Sequence, residues 1–306
     1  MEDNYTVGMR VLSIAIFDWS LALACGWLLA AYWLRHHQPW IASGSARFWV
    51  RFPGLRVAAI LMAISLSVQF YVLTVTLTGN AGLANAIASA PSVASTHGGS
   101  LTLYMLCASL LLWAADAVAS PKRATVLTRV VIVSLVVLIV AFHSAVGHAA
   151  TDGDFSVAEL LQFLHISGMA VWVGGVVVSG LFVAPRLVAS LSRVDEAYLR
   201  ALSNASAYSV LVVLLSGMYK SWIGLDRQLS GMVHTMWGRI LMGKLCLVAI
   251  ALALGFLHRH WIRQHRRLWT PNQTSMLLKT LRAEAYCLTL VIAVSAWLSS
   301  VDPAGT

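Results

Sequence analysis

The feature that most constrains this chain is its series of long apolar runs. Eight occur, at roughly 9–34, 57–78, 99–119, 130–150, 157–184, 203–224, 236–257 and 283–300. A helix of about 20 apolar residues crosses the hydrocarbon core of a bilayer, and each run comes close to or exceeds that length. The runs are continuous, without the alternation of period two that a membrane β-barrel requires. The expected fold is all-α, a polytopic bundle of about eight transmembrane helices forming one membrane domain over 1–306. The composition agrees: 59% of residues are hydrophobic and 11% charged, where soluble domains carry about 25% charged residues. That balance excludes a soluble enzyme, a disordered chain and a disulfide scaffold. The four cysteines, Cys25, Cys107, Cys246 and Cys287, all lie inside apolar runs and form no C-x-x-C, so they read as small buried hydrophobes.

The net charge of +9 does not point to nucleic acid, because the cations sit in short loops. Arg35, Arg47, Arg51, Arg56, Lys122, Arg123, Arg129, Arg186, Arg193, Arg200, Arg259, Arg263, Arg266, Arg267, Lys279 and Arg282 fall on one side, 16 of the 21 Lys and Arg. Arg10, Lys220, Arg227, Arg239 and Lys244 make up the remaining 5. The richer side is expected to be cytoplasmic, which leaves both termini in the opposite compartment. The first run is too long for a signal-peptide core and reads as a retained helix. The loop 79–98 is rich in small residues and has room for a short interfacial helix. The loop 35–56, with Trp40, Phe48, Trp49 and Phe52, reads as an interfacial anchor in the lipid bilayer. No P-loop occurs, so this chain is not expected to drive transport with ATP.

Ionisable residues inside spanning helices are costly and mark functional sites. The candidates are Asp18, His143, His148, His165, Lys220, Arg239 and Lys244. Counted from the run ends, His143 and His165 both lie about 9 Å inside the outer interface. Their helices are joined by the short turn Thr151-Asp152-Gly153-Asp154, so the two imidazoles are expected in one layer. Asp152 and Asp154 form an acidic mouth above His148. His143 and His148, five residues apart, differ by about 140° around a helix and act in sequence rather than as a chelate. His165 and Met169 share a helix face. Met105 and His97 fall in the same outer half, and Asp18 is expected to pair with Lys220 or Lys244. Asp116 is expected at the interface near Lys122 and Arg123. His258 and His260 are assigned to the basic interface. Thioether and imidazole ligands together favour copper over calcium or magnesium, which take oxygen cages.

The segment His143-Ser144-Ala145-Val146-Gly147-His148-Ala149-Ala150 is followed by Leu164-His165 and by Trp172-Val173-Gly174-Gly175. Further on come Ser216-Gly217 and Trp237-Gly238-Arg239-Ile240-Leu241-Met242-Gly243-Lys244-Leu245. This ordered set resembles the CopD/PcoD family of bacterial inner-membrane copper-resistance proteins, most clearly over 140–260. The resemblance implies a bacterial inner (cytoplasmic) membrane location. It implies copper as the transported substrate, with uptake as the direction, and a periplasmic copper-binding partner of the CopC type. It implies a transport protein rather than an enzyme. Two other readings stand beside it: a b-type haem or quinone-linked redox protein, and a non-transporting receptor for a periplasmic copper carrier.

Reporter fusions test the topology. Those placed in 35–56, 120–128, 186–200 and 258–282 should read cytoplasmic, and two of them reading periplasmic would overturn it.

Overall fold

Hydrocarbon offers no hydrogen-bond partner to a peptide group, so a chain of this composition satisfies its backbone within helices. A computed structural model shows that outcome and describes residues 4–37, 54–119, 126–146, 156–191, 196–225, 228, 230–264 and 270–301. The helices are α1 (Asn4–His37), α2 (Gly54–Thr78), α3 (Leu83–Ala94), α4 (His97–Val118), α5 (Val126–Ala145) and α6 (Val157–Val178). A π turn at Ser179–Val183 runs into α7 (Ala184–Leu191), followed by α8 (Glu196–Gly224), the single turn α9 (Gly231–His234), α10 (Met236–Gln264) and α11 (Pro271–Leu298). Eight of the resulting helical stretches are long and apolar enough to cross a membrane. Each overlaps one of the eight expected runs, with the sixth and eighth beginning earlier, at Glu196 and Asn272. The room foreseen in 79–98 is filled by α3.

The chain forms two compact units. The first comprises Met1–Leu21 and Pro53–Ser167. Within it α4 packs against α2 and α5, and α3 lies against α2 and α4. Phe17, Met62, Leu66, Met105, Leu112 and Ile139 form its buried interior. Polar ties add direction to this packing. Arg56 Nε donates to Asp116 Oδ2 at 2.9 Å, and its Nη2 donates to the Asp116 carbonyl at the same distance. Asp116 is thus held across two helices by Arg56. Gly79, with φ of 69°, ends α2 in a conformation that other residues rarely adopt. Asn80 Oδ1 then accepts from Gly82 N at 3.0 Å to turn the chain into α3. Thr96 caps α4 by accepting from Gly99 N at 3.1 Å.

The second unit comprises Ala22–Phe52 and Gly168–Thr306. Between membrane helices, where lipid tails are as apolar as leucine, association rests on close packing and small residues. Gly174 meets the second half of α1 in this way: a Cβ there would overlap the Ala22 carbonyl oxygen, and one at Gly26 would overlap the Gly174 carbonyl. Around this crossing Ala170, Trp172, Val173, Val176, Val177 and Val178 are at most 3% exposed. The π turn is held from two sides. Ser179 Oγ and Tyr198 OH lie 2.7 Å apart, and Gly180 lets the turn approach the Leu281 carbonyl on α11. Helices α10 and α11 form a pair, joined by α8. Thr235 starts α10 by accepting from Gly238 N at 2.9 Å, and Thr270 with Gln273 forms a capping box at the head of α11. Leu225, Trp237, Ile240, Leu241 and Leu298 make a separate apolar cluster at that end of α10.

Gly174→Leu should therefore separate α1 from α6. We expect destabilisation of about 3 kcal/mol or more, read as a lowered midpoint of unfolding in detergent. Gly243→Ala, with open space around it, should change the midpoint by less than about 0.5 kcal/mol.

Candidate functional site

The first unit gathers three of the expected site residues at one end of α5. His143 lies in the last turn of α5, and its Nε2 is 3.2 Å from Asp18 Oδ1 on α1. Phe17 sets its ring against the imidazole, the centroids 4.9 Å apart and tilted by 61°. Tyr104 on α4 and Phe142 pack their rings at 5.6 Å, holding the last turn of α5 against α4. His97, at the head of α4, places Nε2 3.4 Å from the Ala145 carbonyl, two residues beyond His143. A carboxylate and the carbonyl end of a helix dipole thus meet in one place, and both attract cations.

The fit between Asp18 and His143 is loose in a specific way. The two atoms stand at ion-pair distance but off the line of a hydrogen bond, and Asp18 Oδ1 is buried with no hydrogen-bond partner. A buried carboxylate oxygen with unused acceptor capacity is an energetic liability unless a cation or proton occupies it. The sequence reading set Asp18 against Lys220 or Lys244; the side chain it meets in its own unit is His143. Lys220 is exposed on α8 and Lys244 half-buried on α10.

The remaining expected residues are distributed. His165 and Met169 are half-buried and stand one turn apart on α6. Met105 is 1% exposed and belongs to the packed interior of the first unit. Arg239 is exposed in the first turn of α10. His148, Asp152 and Asp154 lie outside the described residues. Helix α5 ends at Ala145 with a bend at Val146, so His143 is about 3 Å from its helix end, whereas His165 stands eight residues into α6, about 12 Å. Among the described residues, no group of three or more His, Cys, Asp or Glu could together hold a metal ion.

A second polar group, in the second unit, escaped the sequence reading. His258 on α10 places Nδ1 2.8 Å from Glu284 Oε2 on α11, with side chains 7% and 3% exposed. Its Nε2 is 2.8 Å from Thr280 Oγ1. Sequence reasoning set His258 at a basic interface and started the last span at 283, which left Glu284 at an apparent edge. The signal was present: Glu284 is the only acidic residue in 271–298, and α11 begins thirteen residues before it.

Eight spans, with carboxylate and imidazole groups paired inside each unit, define a polytopic helical membrane protein. Residues 196–298, which are α8 through α11, match the family model described as Copper resistance protein D. This match agrees with the resemblance read from the sequence. It contains Ser216-Gly217 and the Trp237–Leu245 motif and begins after the histidine-bearing part of α5 and α6. The chain is also 27% identical over 158 residues to "Copper transport protein CutJ" of Bacillus subtilis (strain 168), covering 51% of this chain and 28% of the relative. It is 26% identical over 150 residues to "Copper resistance protein D" of Pseudomonas syringae pv. tomato, covering 46% of this chain and 48% of the relative. The matches thus span less than half the length of either relative. No solved structure matches the chain.

Among the motifs that carry the resemblance, two glycines have a packing role. Gly174 of Trp-x-Gly-Gly is the crossing point with α1, and Gly238 allows the Gly231 and Met232 backbone to lie on the first turn of α10. The Asp18–His143 contact is tested by a double-mutant cycle. Asp18→Asn and His143→Gln should couple by at least about 0.5 kcal/mol in unfolding free energy. Strict additivity would mean that the two side chains do not interact.

Proposed function

We propose that this protein carries copper across the bacterial inner membrane, in the direction of uptake, as part of copper homeostasis or resistance. The observation that carries the reading is the Asp18–His143 group with its unsatisfied carboxylate oxygen. The copper named in the descriptions of the family and of the two relatives supports the choice of ion. Both termini are periplasmic in this reading. The end of α5 is then the receiving side, where a periplasmic carrier of the CopC type delivers the ion. Asp152 and Asp154 raise the local cation concentration. His148 and His143 take the ion in turn, and His165 with Met169 offers the imidazole–thioether pair suited to Cu(I). His97 serves the mouth. Conduction requires sites strong enough to accept an ion and weak enough to release it. A two-residue site of Asp18 and His143 meets that condition better than a closed cage of four ligands.

The test is reconstitution into sealed vesicles containing a copper-sensitive dye. We expect copper-dependent quenching with the wild-type chain. Asp18→Asn and His143→Gln should each slow it on the order of tenfold. His165→Ala should slow it more than His234→Ala, because His234 lies in the exposed turn α9. Full uptake by the double variant His143→Ala, His165→Ala would overturn this route.

A further inference from the structure

Hydrogen-bond counting around His258 leads to a site the copper route does not use. Thr280 Oγ1 is 3.0 Å from both the Met276 and the Leu277 carbonyl oxygens. Its single hydroxyl proton is directed at these carbonyls, as usual for threonine inside a helix. The oxygen can therefore only accept from His258, so Nε2 carries a hydrogen. The other ring nitrogen, Nδ1, stands 2.8 Å from Glu284 Oε2. A neutral imidazole with its hydrogen on Nε2 has only a lone pair at Nδ1, and an ionised carboxylate has only lone pairs at Oε2. Two bare acceptors do not approach to that distance in a buried setting. One further proton must lie between them, on Nδ1 or on Oε2.

We propose that His258 and Glu284 form a proton-binding site, holding a single exchangeable proton between Nδ1 and Oε2, through which transport is coupled to proton movement. The coupling rests on the copper-transport reading; the proton site itself does not. With the proton in place the pair is neutral overall, whichever atom holds it. Release leaves a neutral imidazole and a carboxylate, a net charge of one negative unit. No electron moves, and the proton leaves by way of the adjoining space. That space is a cavity of about 500 Å³ bordered by Trp172, Leu199, Ser203, Gly255 and Arg259 as well as the pair itself. Gly255 is one turn before His258, and a Cβ there would come within 3.1 Å of Glu284 Oε1. The missing side chain keeps the carboxylate open to the cavity.

The surrounding charges favour a site that cycles rather than a permanent ion pair. On α10, Arg259 borders the same cavity while its Nη1 donates to the Ser203 carbonyl at 3.0 Å, so a cation stands ready when the pair becomes negative. His260 stacks on Phe256 and is exposed. On α11, Lys279 and Arg282 are exposed, and Cys287 donates to the Leu247 carbonyl at 3.2 Å. Arg186, on α7, donates to the Phe182 carbonyl. The cavity walls from α6 and α8 are Trp172, Val176, Leu199, Leu202, Ser203 and Ser206, none of them charged.

Two measurements on the full chain test this. In lipid nanodiscs, infrared difference spectra between high and low pH should show a carboxyl or imidazole signal that is lost in both Glu284→Gln and His258→Gln. The signal should persist in Glu284→Asp. A signal unchanged in Glu284→Gln, or a carboxyl signal indifferent to His258→Gln, would overturn the shared proton. If Glu284→Gln does not insert, His258→Gln and Thr280→Val decide: the former should abolish the signal and the latter shift its midpoint. In sealed vesicles carrying a pH dye, wild-type copper flux should be accompanied by proton movement that Glu284→Gln abolishes. Copper flux without proton movement in the wild type would overturn the coupling. Absence of any copper flux would instead remove the transport reading and leave the infrared result to stand or fall alone. Asp18→Asn should slow copper flux while leaving the infrared signal in place.

Discussion

Everything in this protein follows from the need to satisfy polar groups where no water is at hand. An unpaired peptide group in hydrocarbon costs several kcal/mol, which is why the described residues form helices. The same demand governs the side chains. The hydroxyls of Ser20, Thr74, Ser109, Ser216 and Ser295 each donate to the carbonyl four residues back on their own helix. This satisfies the hydroxyl within its own helix. Several charged groups look further. Arg56, Asp116, Asp18, His143, His258 and Glu284 all find partners on a different helix of the same unit.

Because apolar contact with lipid and apolar contact with protein are nearly equivalent, the helices need other reasons to pack where they do. In the second unit the reason is the absence of side chains. Gly26, Gly174 and Gly180 bring backbone against backbone. The π turn after Val178 then changes the facing of the chain, so that Ser179 meets Tyr198. In the first unit interlocking side chains do more, with the Arg56–Asp116 clamp at one end of α2 and α4 and the Tyr104–Phe142 and Phe17–His143 contacts around α5.

The two carboxylate–imidazole pairs differ in how completely they are satisfied, and that difference separates their roles. Asp18 and His143 are 14% and 21% exposed, and Asp18 keeps an unused acceptor. Such a group is prepared for a visiting cation. Glu284 and His258 are more deeply buried and stand 2.8 Å apart, with Thr280 at the second ring nitrogen. A closed arrangement of that kind holds a proton well and a metal ion poorly.

The amino-acid sequence alone determined the number of spans, their approximate limits and the short helix between the second and third, because each depends on hydrophobic length or on residues adjacent in the chain. It also singled out Asp18 and His143, since an ionisable residue in an apolar run is conspicuous whatever its surroundings. Partners were another matter. Asp18 stands beside His143, 125 residues away in sequence, and Asp116 is held by Arg56, 60 residues away. Glu284 was passed over altogether, and the sequence does not say which helix Gly174 crosses. Helix rotation and crossing decide which faces meet, and neither is encoded in hydropathy. Only tertiary packing could bring His258, Thr280 and Glu284 together.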